Sequence, residues 1–132
     1  LIKDLFLNNL SPGNDKFLQS IKNLKVSSHF LVTRSGSLIQ FVPIHKRAWH
    51  AGKSIYQGRE NCNDFSIGIE LEGCDIEEFT SAQYKSLSNL ISYISADLEI
   101  NKKNIVGHNE IAPGRKTDPG PYFNWELLKS ML

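Results

Sequence analysis

Phe65-Ser66-Ile67-Gly68-Ile69-Glu70-Leu71-Glu72-Gly73 alternates in strand period, with Ile67, Ile69 and Leu71 on one side and Gly68, Glu70 and Glu72 on the other. Downstream, Thr80-Ser81-Ala82-Gln83 fits a capping box. Tyr84, Leu87, Ile91, Ile94 and Leu98 then recur at helical spacing, which predicts a helix over 81–98. Upstream, Val26 to Arg34 reads as a strand, and Ser35-Gly36 turns the chain into a second strand over Ser37 to Val42, a hairpin. Residues 1–10 and Lys16 to Leu24 carry helix-like apolar spacing, broken between them by Ser11-Pro12-Gly13-Asn14. Asn104 to Val106 reads as a short strand, and Asn124 is placed to cap a final helix holding Trp125, Leu127 and Leu128. These elements predict an α/β fold: a single domain over residues 1–132 with a mixed central β-sheet flanked by helices.

The 132 residues suffice for a core without covalent staples, and 40% hydrophobic with 22% charged residues is an ordinary globular composition. A formal net charge of +1 with scattered Lys and Arg gives no electrostatic case for nucleic acid as partner, and no apolar run reaches the length of a membrane span. Residues 1–10 lack the pattern of a signal peptide. Cys62 and Cys74 form neither a C-x-x-C pair nor a disulfide scaffold, and two reduced thiols fit a cytoplasmic protein.

Chemistry concentrates in Val106-Gly107-His108-Asn109-Glu110-Ile111-Ala112-Pro113-Gly114-Arg115-Lys116-Thr117-Asp118-Pro119-Gly120-Pro121, whose prolines and glycines predict a long loop. His108 and Asp118 are a nitrogen and an oxygen ligand of the kinds zinc accepts, against the alternative of a polar surface loop with a chance histidine. An extended conformation before Pro119 would turn Lys116 and Asp118 to the same side. Glu70 lies inside an apolar strand run and Glu72 at its end. Both are either solvated residues or site carboxylates, and Glu70 is the better candidate for a buried base. His29 reads as a hydrogen-bonded structural histidine rather than a ligand. Arg47-Ala48-Trp49-His50-Ala51-Gly52 lies in a stretch, 43–58, that reads as irregular, and either walls a pocket for a sugar or peptide or caps the core.

Three segments together, Lys46 to Gly52, Cys62 to Gly73 and Gly107 to Pro121, resemble the AmpD-type N-acetylmuramoyl-L-alanine amidases over nearly the whole chain. The resemblance implies the sheet-and-helix fold of the amidase and peptidoglycan-recognition superfamily, and a Zn2+ cofactor held by His108 and Asp118. It also implies Glu70 as the catalytic carboxylate and Lys116 as the cation near the oxyanion. Trp49, His50 and Arg115 are the candidate substrate contacts. The implied substrate is a 1,6-anhydro-muropeptide cut between muramic acid and L-alanine during wall recycling in the cytoplasm. A non-catalytic muropeptide-binding module, as in some superfamily members, is the alternative. The family draws a further histidine ligand from an early strand that precedes the region matching Leu1, so this chain is expected to be part of a longer protein, the alternative being a remnant that binds zinc poorly. Lys25 and Asn61 stand where the family pattern has arginine.

Overall fold

The computed structural model describes residues 2–7, 9, 13 and 25–132. Its first element is a short helix, α1 (Ile2–Phe6), whose Phe6 ring meets Phe41 edge-on with centroids 5.6 Å apart. The expected helix over Lys16 to Leu24 lies outside the described residues.

Strand β1 (Phe30–Val32) is buried at every residue. It pairs antiparallel with β2 (Leu38–Gln40), in the register Phe30↔Gln40, closing the expected hairpin. The turn between them holds Gly36 at φ +84°, where a Cβ would lie 2.8 Å from the Ala82 carbonyl oxygen, so both conformation and space require glycine. Between β2 and the third strand of this sheet, the stretch read as irregular contains a small hairpin, β3 (Ile55–Tyr56) and β4 (Arg59–Glu60). The two-residue Gln57-Gly58 turn, with positive φ at both positions, is the geometry a tight hairpin needs. Strand β5 (Ile69–Leu71) then lies parallel to β1, with Glu70 opposite Leu31, giving the sheet order β2-β1-β5.

Helix α2 spans Ser81–Leu98, with the expected capping box at Thr80 and Gln83. Gln83 is fully buried and donates from Nε2 to the carbonyls of Glu72 (2.8 Å) and Val32 (3.4 Å). One side chain thereby ties the helix to the ends of both β1 and β5. The core forms where Tyr84, Leu87 and Ile91 meet Phe123 and Leu128, with Ile69 and Leu71 of β5 packed against them. A second cluster joins Phe30 to Leu90 and Ile94. Burial of these side chains, each worth roughly 1.5–3 kcal/mol, fixes the apolar face of β5 against α2 and so turns Glu70 to the opposite side.

Two elements near the long loop differ from expectation. Residues 104–106 do not form a strand: a 3-10 turn occupies Lys102–Asn104, held by the Asn101 side chain accepting from Lys103 N–H, and Ile105, though extended, and Val106 have no ladder partner among the described residues. The loop itself opens with a single helical turn, α3 (His108–Ile111), because Glu110 Oε1 accepts the Gly107 N–H at 2.9 Å and caps it. The chain closes with α4 (Trp125–Met131), capped as expected by Asn124 accepting from Leu127 N–H.

Candidate active site

The mixed sheet delivers one carboxylate, and the loop after Val106 delivers the rest. Asn109 N–H donates to the Asp118 carbonyl at 2.9 Å, which folds the loop back and returns Asp118 to the helical turn that carries His108. Lys116 N–H and Ala112 N–H bond the carbonyls of Ala112 and His108, shaping the arc between them. Thr117 donates to Asp75 Oδ2, and a Cβ at Gly120 would lie 2.8 Å from Asp75 Cα, so the far side of the loop packs closely on the segment after β5. The outcome is a cleft of about 1010 Å3 whose walls include Glu70, His108, Asp118 and His50.

His108 is the centre of the arrangement. Its Nδ1 stands 3.1 Å from Asp118 Oδ2, and its Nε2 stands 2.9 Å from the Ala51 carbonyl oxygen. Both partners are acceptors, so both ring nitrogens require a proton or another cation. The hydrogen bond to Asp118 is the main reason the imidazole pKa is raised, with burial opposing it, and the same bond holds the Asp118 carboxyl below its ordinary range. A metal at the Nδ1–Oδ2 edge would replace the Nδ1 proton, while Ala51 would keep the Nε2 proton and fix the ring. A nitrogen and a carboxylate oxygen suit zinc in kind. They are two donors, and among the described residues no group of three or more His, Cys, Asp or Glu side chains gathers around one point.

Glu70 lies on the cleft side of β5. Burial pushes its carboxyl up to about 7, the charge of Asp118 pushes the same way, and His108 and Lys116 oppose it. A carboxyl poised there can both accept and return a proton near neutral pH. Lys116 is exposed, and its charge is felt by Glu70, His108 and Asp118. Glu72 serves the fold instead, because its Oε2 accepts the Arg34 N–H at 2.7 Å and pins the β1–β2 turn.

The remaining expected residues divide. His29 is structural, with Nδ1 accepting from Gly68 N–H at 3.1 Å and Nε2 donating to the Lys46 carbonyl at 2.7 Å. His50 walls the cleft with its ring laid on Gly68, where a Cβ would come 2.3 Å from its Cγ, and burial with a push from His29 lowers its pKa to about 4. Trp49 is 55% exposed, and the Arg47 guanidinium covers its ring at 4.1 Å. Arg115, a candidate substrate contact, is exposed and directs Nε and Nη2 to the backbone carbonyls of Lys53 and Ala51. Sequence reasoning missed Asn63, a buried residue whose Oδ1 accepts the N–H groups of His50 and Ala51 at 3.0 and 2.8 Å. Both cysteines are free, Cys62 buried and Cys74 exposed.

A largely buried carboxyl titrating near 7 and an imidazole–carboxylate pair that wants a cation, together on one cleft, suit the hydrolysis of an amide. The family model for N-acetylmuramoyl-L-alanine amidase matches residues 4–121, and the chain belongs to that family. It is 51% identical over 131 residues to the 1,6-anhydro-N-acetylmuramyl-L-alanine amidase AmpD of Escherichia coli (strain K12), covering 99% of this chain and 72% of that protein. The Haemophilus influenzae AmpD is 48% identical over 132 residues, with the same two coverages. Among solved structures, a selenomethionine derivative of AmpD superposes with a TM-score of 0.96 at 46% identity, covering 99% of this chain and 73% of that one. The Escherichia coli amidase AmiD, in complex with the substrate anhydro-N-acetylmuramic acid-L-Ala-D-gamma-Glu-L-Lys, superposes with a TM-score of 0.78 at 38% identity over 89% of this chain and 52% of that one.

Proposed function

We propose that the protein hydrolyses the amide joining N-acetylmuramic acid, in its 1,6-anhydro form, to the L-alanine of muropeptides during peptidoglycan recycling in the cytoplasm, with residues 1–132 acting as one amidase domain. The observation that supports this best is the convergence of Glu70, titrating at about 7, with the His108–Asp118 pair in one cleft. The names of the AmpD relatives supply the bond and the anhydro sugar. Among the described residues no helix is long and apolar enough to cross a membrane.

In this reading His108 and Asp118 hold zinc together with a third donor from outside the described residues. The metal, when bound, supplies a Lewis acid that polarises the scissile carbonyl and acidifies water. Glu70 takes the proton of the attacking water and returns it to the departing L-alanine nitrogen, a double role that suits a carboxyl titrating near the working pH. The Lys116 ammonium stabilises the oxyanion that develops on the carbonyl oxygen. His50, which lines the cleft, and the exposed Trp49 and Arg115 are the muropeptide contacts of this reading.

The test is to incubate the protein, with zinc supplied, with anhydro-N-acetylmuramic acid-L-Ala-D-gamma-Glu-L-Lys and follow the appearance of the free L-alanine amine. Cleavage at that single bond is the expected result. Binding without cleavage would instead identify a muropeptide-binding module.

A further inference from the structure

Ala51 is fully buried, and its backbone is held at both its N–H and its C=O. Asn63 Oδ1 accepts the N–H groups of His50 and Ala51, at 3.0 and 2.8 Å, from beneath the loop. Arg115 reaches the same backbone from the outer side: Nη2 donates to the Ala51 and Lys53 carbonyls, and Nε donates to Lys53 at 3.2 Å. Gly52, at φ +60°, lets the guanidinium lie against the chain, since a Cβ there would meet Nη2 at 3.0 Å. Arg115 thus bonds the Ala51 carbonyl directly and Asn63 fixes the amides that lead into it, and this carbonyl is the acceptor of the His108 Nε2 proton at 2.9 Å.

We propose that Asn63 and Arg115 are positioning residues for His108: they fix the Ala51 carbonyl where it takes the Nε2–H, and thereby aim Nδ1 at Asp118. The distinction from a general structural role lies in the carbonyl's two partners. Arg115 is exposed and spends donors on the Lys53 carbonyl and on the one carbonyl that accepts the imidazole proton. An imidazole held by a fixed carbonyl on one nitrogen presents the other in one direction and with greater basicity. The part of the inference that concerns metal affinity rests on the zinc reading proposed above. The part that concerns the ring does not.

The test uses metal-free protein and side-chain nitrogen–proton spectra of the imidazoles. In the parent, the His108 Nε2–H is expected as a slowly exchanging proton. Asn63→Leu, which keeps the volume and removes the acceptor, and Arg115→Gln are expected to bring that proton into fast exchange. Asn63→Asp, which still accepts from both amides, is expected to keep it slow. If Asn63→Leu fails to fold, Arg115→Gln, a change at an exposed side chain, decides the question. Zinc affinity measured against a coloured chelator is expected to fall about 10–100-fold in Asn63→Leu and Arg115→Gln and to be retained in Asn63→Asp. A slow Nε2–H in folded Arg115→Gln and Asn63→Leu would overturn the proposal. A parent that binds no zinc would contradict the metal reading alone, because the imidazole spectra still decide the positioning role.

Discussion

His29 and His108 are each hydrogen-bonded through both ring nitrogens, yet the two sites do opposite things. His29 has one donor partner, the Gly68 N–H, and one acceptor partner, the Lys46 carbonyl, so a single neutral tautomer satisfies it completely. His108 faces two acceptors, the Asp118 carboxylate and the Ala51 carbonyl, and no neutral tautomer satisfies both. The polarity of the partners, more than burial or the number of bonds, separates a histidine that holds a fold from one that awaits a cation.

The sharpest way to break that contrast is to exchange the losses. His108→Ala is expected to abolish zinc binding and hydrolysis while leaving the fold near its original stability. His29→Ala is expected to cost roughly 2–4 kcal/mol, from a cavity and an unsatisfied Gly68 N–H, as read by denaturant unfolding. Equal effects on zinc from both changes would erase the distinction.

The two strand carboxylates offer a second contrast. Glu70→Gln is expected to lower turnover about 10²–10⁴-fold with zinc retained, since it removes the proton acceptor. Glu72→Gln is expected to leave turnover within a few-fold, because its Oε2 serves the Arg34 N–H. Equal damage in a steady-state assay would reassign the base.

A smaller effect belongs to Lys116. Lys116→Ala is expected to reduce kcat about a hundredfold with little change in KM, as loss of a charge felt mainly in the transition state. A raised KM at unchanged kcat would make the lysine a substrate contact.

The smallest expected effect is on stability. The Glu70 carboxyl is raised from 4.5 in the unfolded chain to about 7 in the fold. The folded state therefore binds more protons across that window, and stability falls as pH rises from about 4.5 to about 7. Glu70→Gln is expected to remove this dependence and to stabilise the protein at pH 8 by up to about 3 kcal/mol, as measured by thermal unfolding at pH 4 and pH 8. An unchanged difference between the two pH values would mean the carboxylate is better solvated than its surroundings imply.

Much of this is legible in the residues. The Thr80–Gln83 capping box and the apolar spacing from Tyr84 to Leu98 mark α2 residue for residue, and Asn124 marks the last helix. Alternation overstates the strands, since it continues past the points where a partner strand ends: Val26 to Arg34 contracts to Phe30–Val32. Ile105-Val106 is apolar enough for a strand but finds no ladder partner among the described residues. In the site, Glu70, His108, Lys116 and Asp118 are visible as side-chain types on a strand and a loop. Asn63 and the Ala51 carbonyl are not, because a backbone oxygen leaves no mark in the sequence and an asparagine's role depends on which amides it meets.

The contrast between the two histidines is tested most directly by imidazole nitrogen spectra recorded near neutral pH before and after adding zinc. The account predicts that His108 exchanges its Nδ1 proton for the metal while keeping the Nε2 proton, and that the His29 signals do not move. Zinc-dependent change at His29, or a His108 spectrum that zinc leaves untouched in folded protein, would contradict it.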